Sequence, residues 1–282
     1  MTDEYVSNRT RLSYQSRSAG FPVVFLHPTP LDHDYWRPLI ERLPEIYAIV
    51  PDLRGHGGSE LSPGPGPHLP TGGFALVPDA PVLSMEQYAL DILALLNHLE
   101  VERAIFAGCS VGGYILLELW RRIPQRMQAL AFVCSKPQPD TQQGQSKRAE
   151  NIARARAEGV AGIFDSMAQT LLGATARSQH PEMVVELRSR MTLTTEAFIA
   201  VQAGLATRPD SLATVATITA PVLAVAGGED GAVTPAEMEA FRVAPGGCGF
   251  HLLPDAGHFA AFEQPDRVAG IFSSWLRAGN FM

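Results

Sequence analysis

The chain reads as an α/β protein, a mostly parallel central sheet flanked by helices with one helical cap inserted into it. Three observations predict this. Short apolar runs of strand length alternate with segments of helical period along most of the 282 residues. Residues 136–207 break the alternation, with no strand-like run and apolar positions at helical spacing. A hydrophobic content of 46% is ample for one large core. The expected division is a core of residues 1–135 and 208–282 carrying a cap of residues 136–207.

Taken in order, residues 4–16 suit an antiparallel opening hairpin. The apolar runs at 21–26, 46–50, 103–107, 129–134, 221–226 and 249–253 suit buried strands, and 34–43, 85–99, 111–123, 235–242 and 265–277 suit the helices between them. Residues 62–81 hold six prolines and four glycines, which predicts a long surface loop. Within the insertion, Ile163/Met167/Leu171 and Met183/Leu187/Met191 repeat at one helical turn.

Composition excludes several function classes. The net charge is −7 and no basic block could neutralise phosphates, so a nucleic-acid partner is not expected. No apolar stretch reaches membrane-spanning length, and Met1-Thr2-Asp3-Glu4 lacks a signal pattern, so no membrane partner and a cytoplasmic location are expected. The three cysteines, Cys109, Cys134 and Cys248, form no C-x-x-C pair, which argues against a disulfide framework or a metal site and for buried thiols.

The chemistry centres on Gly108-Cys109-Ser110-Val111-Gly112, set between a strand-like run and an amphipathic helix-like run. A strand-to-helix turn this sharp strains its central residue, and small neighbours two positions either side leave room for it. Ser110 is therefore the candidate nucleophile. The same motif also suits an ordinary capped helix start, so partners are needed to decide.

Serine needs a base and a group to orient that base. Asp230 follows the run ending at Ala226, and His258 follows the run ending at Leu253, each just past a strand's C-terminal end. Open α/β sheets collect their reacting groups along that edge. Glu229 and Asp255 are rival acids; Glu229 comes one residue early, and Asp255 suits a cap on the turn before Gly257. The oxyanion donors expected are the N–H of Val111 and that of Thr29, the one residue of Pro28-Thr29-Pro30 with an N–H to give. His33, Tyr35 and Trp36 follow that loop and are candidates for the pocket wall, as are Met167 and Phe198 of the insertion. No metal or other cofactor is called for.

These residues together resemble the α/β-hydrolase superfamily over essentially the whole chain. Asp52-Leu53-Arg54-Gly55-His56-Gly57-Gly58-Ser59 is similar to its D-x-R-G-x-G-x-S stretch, His27-Pro28-Thr29-Pro30 to its H-G-x-P oxyanion loop, and Gly257-His258 to its histidine turn. Pro28 stands where that loop has glycine. The resemblance implies a cis peptide at Thr29-Pro30 and a Ser110-His258-Asp230 triad. Pro137 to Thr141, the stretch with Arg148 and Arg154 before Glu158-Gly159, and Arg208-Pro209-Asp210 resemble the 3-oxoadipate enol-lactonase-like carboxylesterases. The implied activity is hydrolysis of small carboxylic esters or lactones through an acyl-enzyme. Carbon–carbon bond hydrolysis or perhydrolysis on the same triad is the alternative enzyme reading, and a ligand-binding receptor the alternative outside enzymes. The sequence leaves the oligomeric state open.

Overall fold

Every residue of Ala104–Cys109 is buried. A strand can sustain that only where helices cover both faces of its sheet. The computed structural model, which describes residues 2–17, 20–62 and 82–281, places this strand in the middle of eight. They are β1 (Thr2–Ser7), β2 (Thr10–Arg17), β3 (Phe21–Leu26), β4 (Ile46–Pro51), β5 (Ala104–Cys109), β6 (Met127–Val133), β7 (Val222–Gly227) and β8 (Cys248–Leu253). Their order across the sheet is β1-β2-β4-β3-β5-β6-β7-β8.

The hairpin β1–β2 turns at Asn8 and Arg9, both at positive φ, and β2 runs antiparallel to β4. From β4 to β8 every pairing is parallel. The C-terminal ends of β3, β5, β6, β7 and β8 therefore share one edge. The fold is the α/β-hydrolase arrangement expected.

Helices Met85–His98, Val111–Arg122 and Pro265–Ala278 pack their apolar stripes on the sheet and stand close to their expected limits. Two others are shorter than the apolar spacing implied. Segment 34–43 becomes a 3-10 turn, His33–Trp36, followed by one α-turn, Arg37–Ile40. Segment 235–242 divides likewise into Pro235–Met238 and Glu239–Val243. Of the proline-glycine segment, residues 63–81 lie outside the described residues.

The insertion between β6 and β7 contains helices Gln142–Glu158, Ala161–Leu171, Ala174–Gln179, Glu182–Ser189 and Thr195–Ala206. Thr141 and Thr194 cap the first and last through their side chains, and Gly159 ends the first at φ 74°. Helix Thr195–Ala206 is buried on nearly all sides and meets the core directly: Leu83 donates its N–H to Ala200 O at 3.0 Å. A Cβ at Gly204 would stand 1.8 Å from Leu83 O, so only glycine permits that approach.

Candidate active site

Ser110 occupies φ 51°, ψ −114°, a conformation that L-residues rarely adopt, at the turn between β5 and helix Val111–Arg122. Two close approaches hold it there. A Cβ on Gly108 would lie 2.4 Å from the Gly112 carbonyl carbon, and one on Gly112 would lie 2.3 Å from Leu26 O on β3. Behind the turn, Ser110 N–H donates to Val133 O (3.1 Å), and Ser110 O accepts from Gly113 N (3.0 Å) and Ser135 Oγ (2.8 Å).

His258 stands beyond β8 and Asp230 beyond β7, both buried. His258 Nδ1 donates to Asp230 Oδ2 at 2.8 Å. The other carboxylate oxygen, Oδ1, accepts the N–H groups of Ala232 (2.8 Å) and Val233 (2.9 Å), so the acid is fixed on both sides. With the proton on Nδ1, Nε2 of the neutral ring carries the free lone pair. The rival acids face elsewhere. Glu229 accepts from Thr175 N (2.7 Å) and Thr175 Oγ1 (2.6 Å), while Asp255 pairs with Arg267 on the surface at 2.7 Å.

Ser110, His258 and Thr29 border one cavity, with about 550 Å³ of empty space partly open to solvent. Its walls are apolar at Met167, Leu171, Leu205 and Val233, and polar at Lys136, Asp140, Arg148 and Gln202. Arg148 donates to Asp140 (3.1 Å) and to Gln202 Oε1 (3.2 Å), Arg208 pairs with Asp140 at 2.7 Å, and Lys136 with Glu237 at 2.5 Å. Burial pushes the Asp140 carboxyl up, but the charges of Arg148 and Arg208 hold it below the usual range. Arg208 also lies 4.4 Å over the ring of Tyr114, another cavity residue.

The Thr29-Pro30 peptide is cis. Among the described residues no acceptor takes the N–H of Thr29 or of Val111, although the Val111 side chain lies in the core rather than on the cavity wall. The loop around Thr29 rests on two buried histidines. His27 Nε2 accepts the N–H of Leu53 (2.9 Å), which puts its proton on Nδ1, near Pro28 O (3.0 Å). His56 Nδ1 faces Arg54 O (3.1 Å), so its Nε2 accepts from Thr29 Oγ1 (3.1 Å). Burial lowers His27 to about 4 and His56 to about 3, keeping both neutral. Asp52 and Arg54 of the same stretch are structural: Arg54 makes a bidentate buried pair with Asp91 (2.8 and 2.6 Å), and Asp52 accepts from Ser13 Oγ (2.6 Å) and Gly58 N (2.9 Å).

Four expected pocket residues need correction. His33 lines a separate cleft with Gln15, Arg17 and Arg37, because its ring is tied to Asp52 at 2.7 Å and to Gln15 at 2.7 Å. Tyr35 and Trp36 point into the core: Tyr35 OH donates to Cys109 Sγ (3.2 Å), and the Trp36 ring packs 5.3 Å from that of Phe25. Phe198 packs 5.7 Å from Phe164 inside the insertion, turned from the cavity. Met167 does line the wall. Tyr114, Lys136, Asp140, Gln202, Leu205, Ala232 and Val233 were not singled out from sequence. Only Asp140 fell in a stretch that the resemblance marked, Pro137 to Thr141, and there without a role. Among the described residues no cluster of side chains could hold a metal ion, and no helix is long and apolar enough to cross a membrane.

Comparison with known proteins agrees with this fold. The sequence model of the alpha/beta hydrolase family matches residues 23–271. The 3-oxoadipate enol-lactonase 1 of Acinetobacter baylyi is 25% identical over 259 residues, covering 91% of this chain and 88% of that protein. A thermophilic esterase from Thermogutta terrifontis, solved with malate bound, superposes with a TM-score of 0.87 at 30% identity over 99% of both chains. The enol-lactonase from Burkholderia xenovorans LB400 shares the fold, with a TM-score of 0.84 at 23% identity over 98% of this chain and 100% of that one.

Proposed function

We propose, from the premise that this chain belongs to the alpha/beta hydrolase family, that it hydrolyses small carboxylic esters or lactones through an acyl-enzyme on Ser110. The observation that carries the reading is the cavity shared by Ser110 and His258, whose ring is anchored to a doubly held Asp230. Ser110 Oγ attacks the carbonyl carbon while His258 Nε2 takes its proton. The anionic oxygen of the tetrahedral intermediate lies against the N–H groups of Thr29 and Val111, the latter opening a helix whose dipole favours negative charge. His258 then returns the proton to the leaving oxygen, and water repeats the sequence to free the acid. In a lactone the leaving oxygen belongs to the same molecule.

The polar wall favours substrates that carry a carboxylate. Lys136, Arg148 and Arg208 set three cations against the two carboxylates Asp140 and Glu237, leaving one positive charge uncompensated. The esterase and enol-lactonase among the relatives agree in reaction class. The test is hydrolysis of p-nitrophenyl esters of increasing acyl length, of neutral lactones, and of esters and lactones bearing a carboxylate. Turnover should peak at short acyl chains. Arg148→Met should raise KM for carboxylate-bearing substrates roughly tenfold, a charge-assisted hydrogen bond's worth, and leave neutral short esters near wild type. Turnover of β-diketones without esters would move the reading to carbon–carbon hydrolysis. A single slow turnover with retained product would favour a receptor.

A further inference from the structure

The turn that presents His258 is gripped from outside the triad. Glu263, at the end of the short helix Ala260–Glu263, accepts the N–H of Gly257 at Oε2 (2.9 Å) and that of Phe259 at Oε1 (3.3 Å), the residues on either side of the histidine. The same Oε2 accepts the N–H of Gly173 in the insertion at 3.0 Å. The remaining amide, that of His258, donates to Leu171 O at 2.8 Å, and Leu171 also lines the cavity. Three consecutive main-chain N–H groups are thus each assigned an acceptor. Two acceptors come from one carboxylate and one from the insertion.

The packing allows little alternative. A Cβ on Gly257 would stand 2.2 Å from Gly173 N, so the histidine turn and the insertion touch backbone to backbone. No lysine or arginine among the described residues pairs with Glu263. A largely buried carboxylate without a cation must draw its compensation from amides, and here those amides are the histidine turn and the insertion. Burial raises its pKa, and the amide hydrogen bonds counter that rise. Nearby, Glu229 ties the turn carrying Asp230 to Thr175, four residues past Leu171.

We infer that Glu263 is the positioning residue of His258, a carboxylate clamp that sets the histidine's backbone and locks it to the insertion at Leu171–Gly173. The insertion is then a fixed part of the catalytic apparatus at this seam rather than a lid hinged over it. This rests on the proposed acyl-enzyme chemistry, because it assigns Glu263 a role through His258.

The test compares Glu263→Gln with Thr217→Val, which deletes the bond from Trp120 Nε1 (3.1 Å) ahead of β7 and touches neither the histidine turn nor the acid turn. Glutamine turns one acceptor oxygen into a donor that faces an N–H. Glu263→Gln should lower kcat on a short ester about tenfold or more, with KM within about twofold, at a temperature well below its unfolding midpoint. The rate at which a fluorophosphonate labels Ser110 should fall in parallel. Thr217→Val should lower the thermal midpoint and leave kcat unchanged. If Glu263→Gln does not fold, Glu263→Asp is read in its place; it keeps the charge but falls one methylene short, and should also lower kcat. A folded variant with wild-type kcat and labelling rate overturns the clamp. Failure of the wild-type enzyme to label at Ser110 overturns instead the chemistry beneath it, so the two failures are separate.

Discussion

At the residue scale, direction decides more than proximity in sequence. Tyr35 and Trp36 follow closely on the Thr29 loop, yet both point into the core, because the 3-10 turn His33–Trp36 aims them back at Phe25, Cys109 and Phe259. Asp230 was legible because strand order and strand ends fix it, whereas the direction of a side chain within a short turn is set by packing that no periodicity records. His27 and His56 are a further case. Both stand in stretches that carry the family resemblance, and their hydrogen bonds make them neutral struts. Their pKa values of about 4 and about 3 lie below the ordinary histidine value of 6.5, so the unfolded chain binds protons that the folded one refuses. Stability contributed by these two is present above about pH 6.5 and is lost as pH falls toward 4. His33 acts in the opposite sense, because the hydrogen bond and charge of Asp52 outweigh burial and raise it, and its contribution fades as pH rises. Denaturant unfolding measured from pH 7.5 to 4.5 should therefore show stability falling on acidification by about 1.4 kcal/mol per pH unit for each net proton taken up. A flat profile would show that the buried histidines are not neutral.

At the scale of elements, helices with one apolar face were read well and helices with two were not. Met85–His98 and Pro265–Ala278 each show a clear stripe and stand where the sequence puts them. Thr195–Ala206 is buried almost all round, so its period could not say which of its side chains meets the cavity. Gln202 and Leu205 do, and Phe198 does not. The polar wall was illegible for another reason. Lys136, Asp140, Arg148 and Gln202 come from a strand end, a loop and two helices, and only the folded chain brings them together. These placements separate two residues that the sequence treats alike. Met167→Ala should shift the ester optimum toward longer acyl chains with little loss of stability, because Met167 lines the cavity. Phe198→Ala should instead cost about 3–5 kcal/mol of stability, read as a lower midpoint in denaturant, with the acyl optimum unmoved. A specificity change in Phe198→Ala with stability intact would show that the two roles are exchanged.

At the scale of the whole molecule, five loops converge because five parallel strands end on one edge. Thr29 follows β3, Ser110 β5, Lys136 β6, Asp230 β7 and His258 β8. The alternation of apolar runs and helical periods made that architecture legible, and strand order then turned three distant residues into one constellation. What the sequence could not carry was the seam between sheet and insertion, where the main chain of Leu171, Gly173 and Thr175 meets the histidine turn and the side chains of Glu263 and Glu229, a pairing that no side-chain periodicity records.

The central claim is that Ser110 is the nucleophile of an acyl-enzyme, and covalent trapping tests it most directly. The wild-type protein, incubated with a fluorophosphonate and digested, should yield one modified peptide with the added mass on Ser110. Ser110→Ala should take no label and lose on the order of 10³-fold or more in ester turnover. An adduct on another residue, or an alanine variant that still turns over esters at the wild-type rate, would contradict the account.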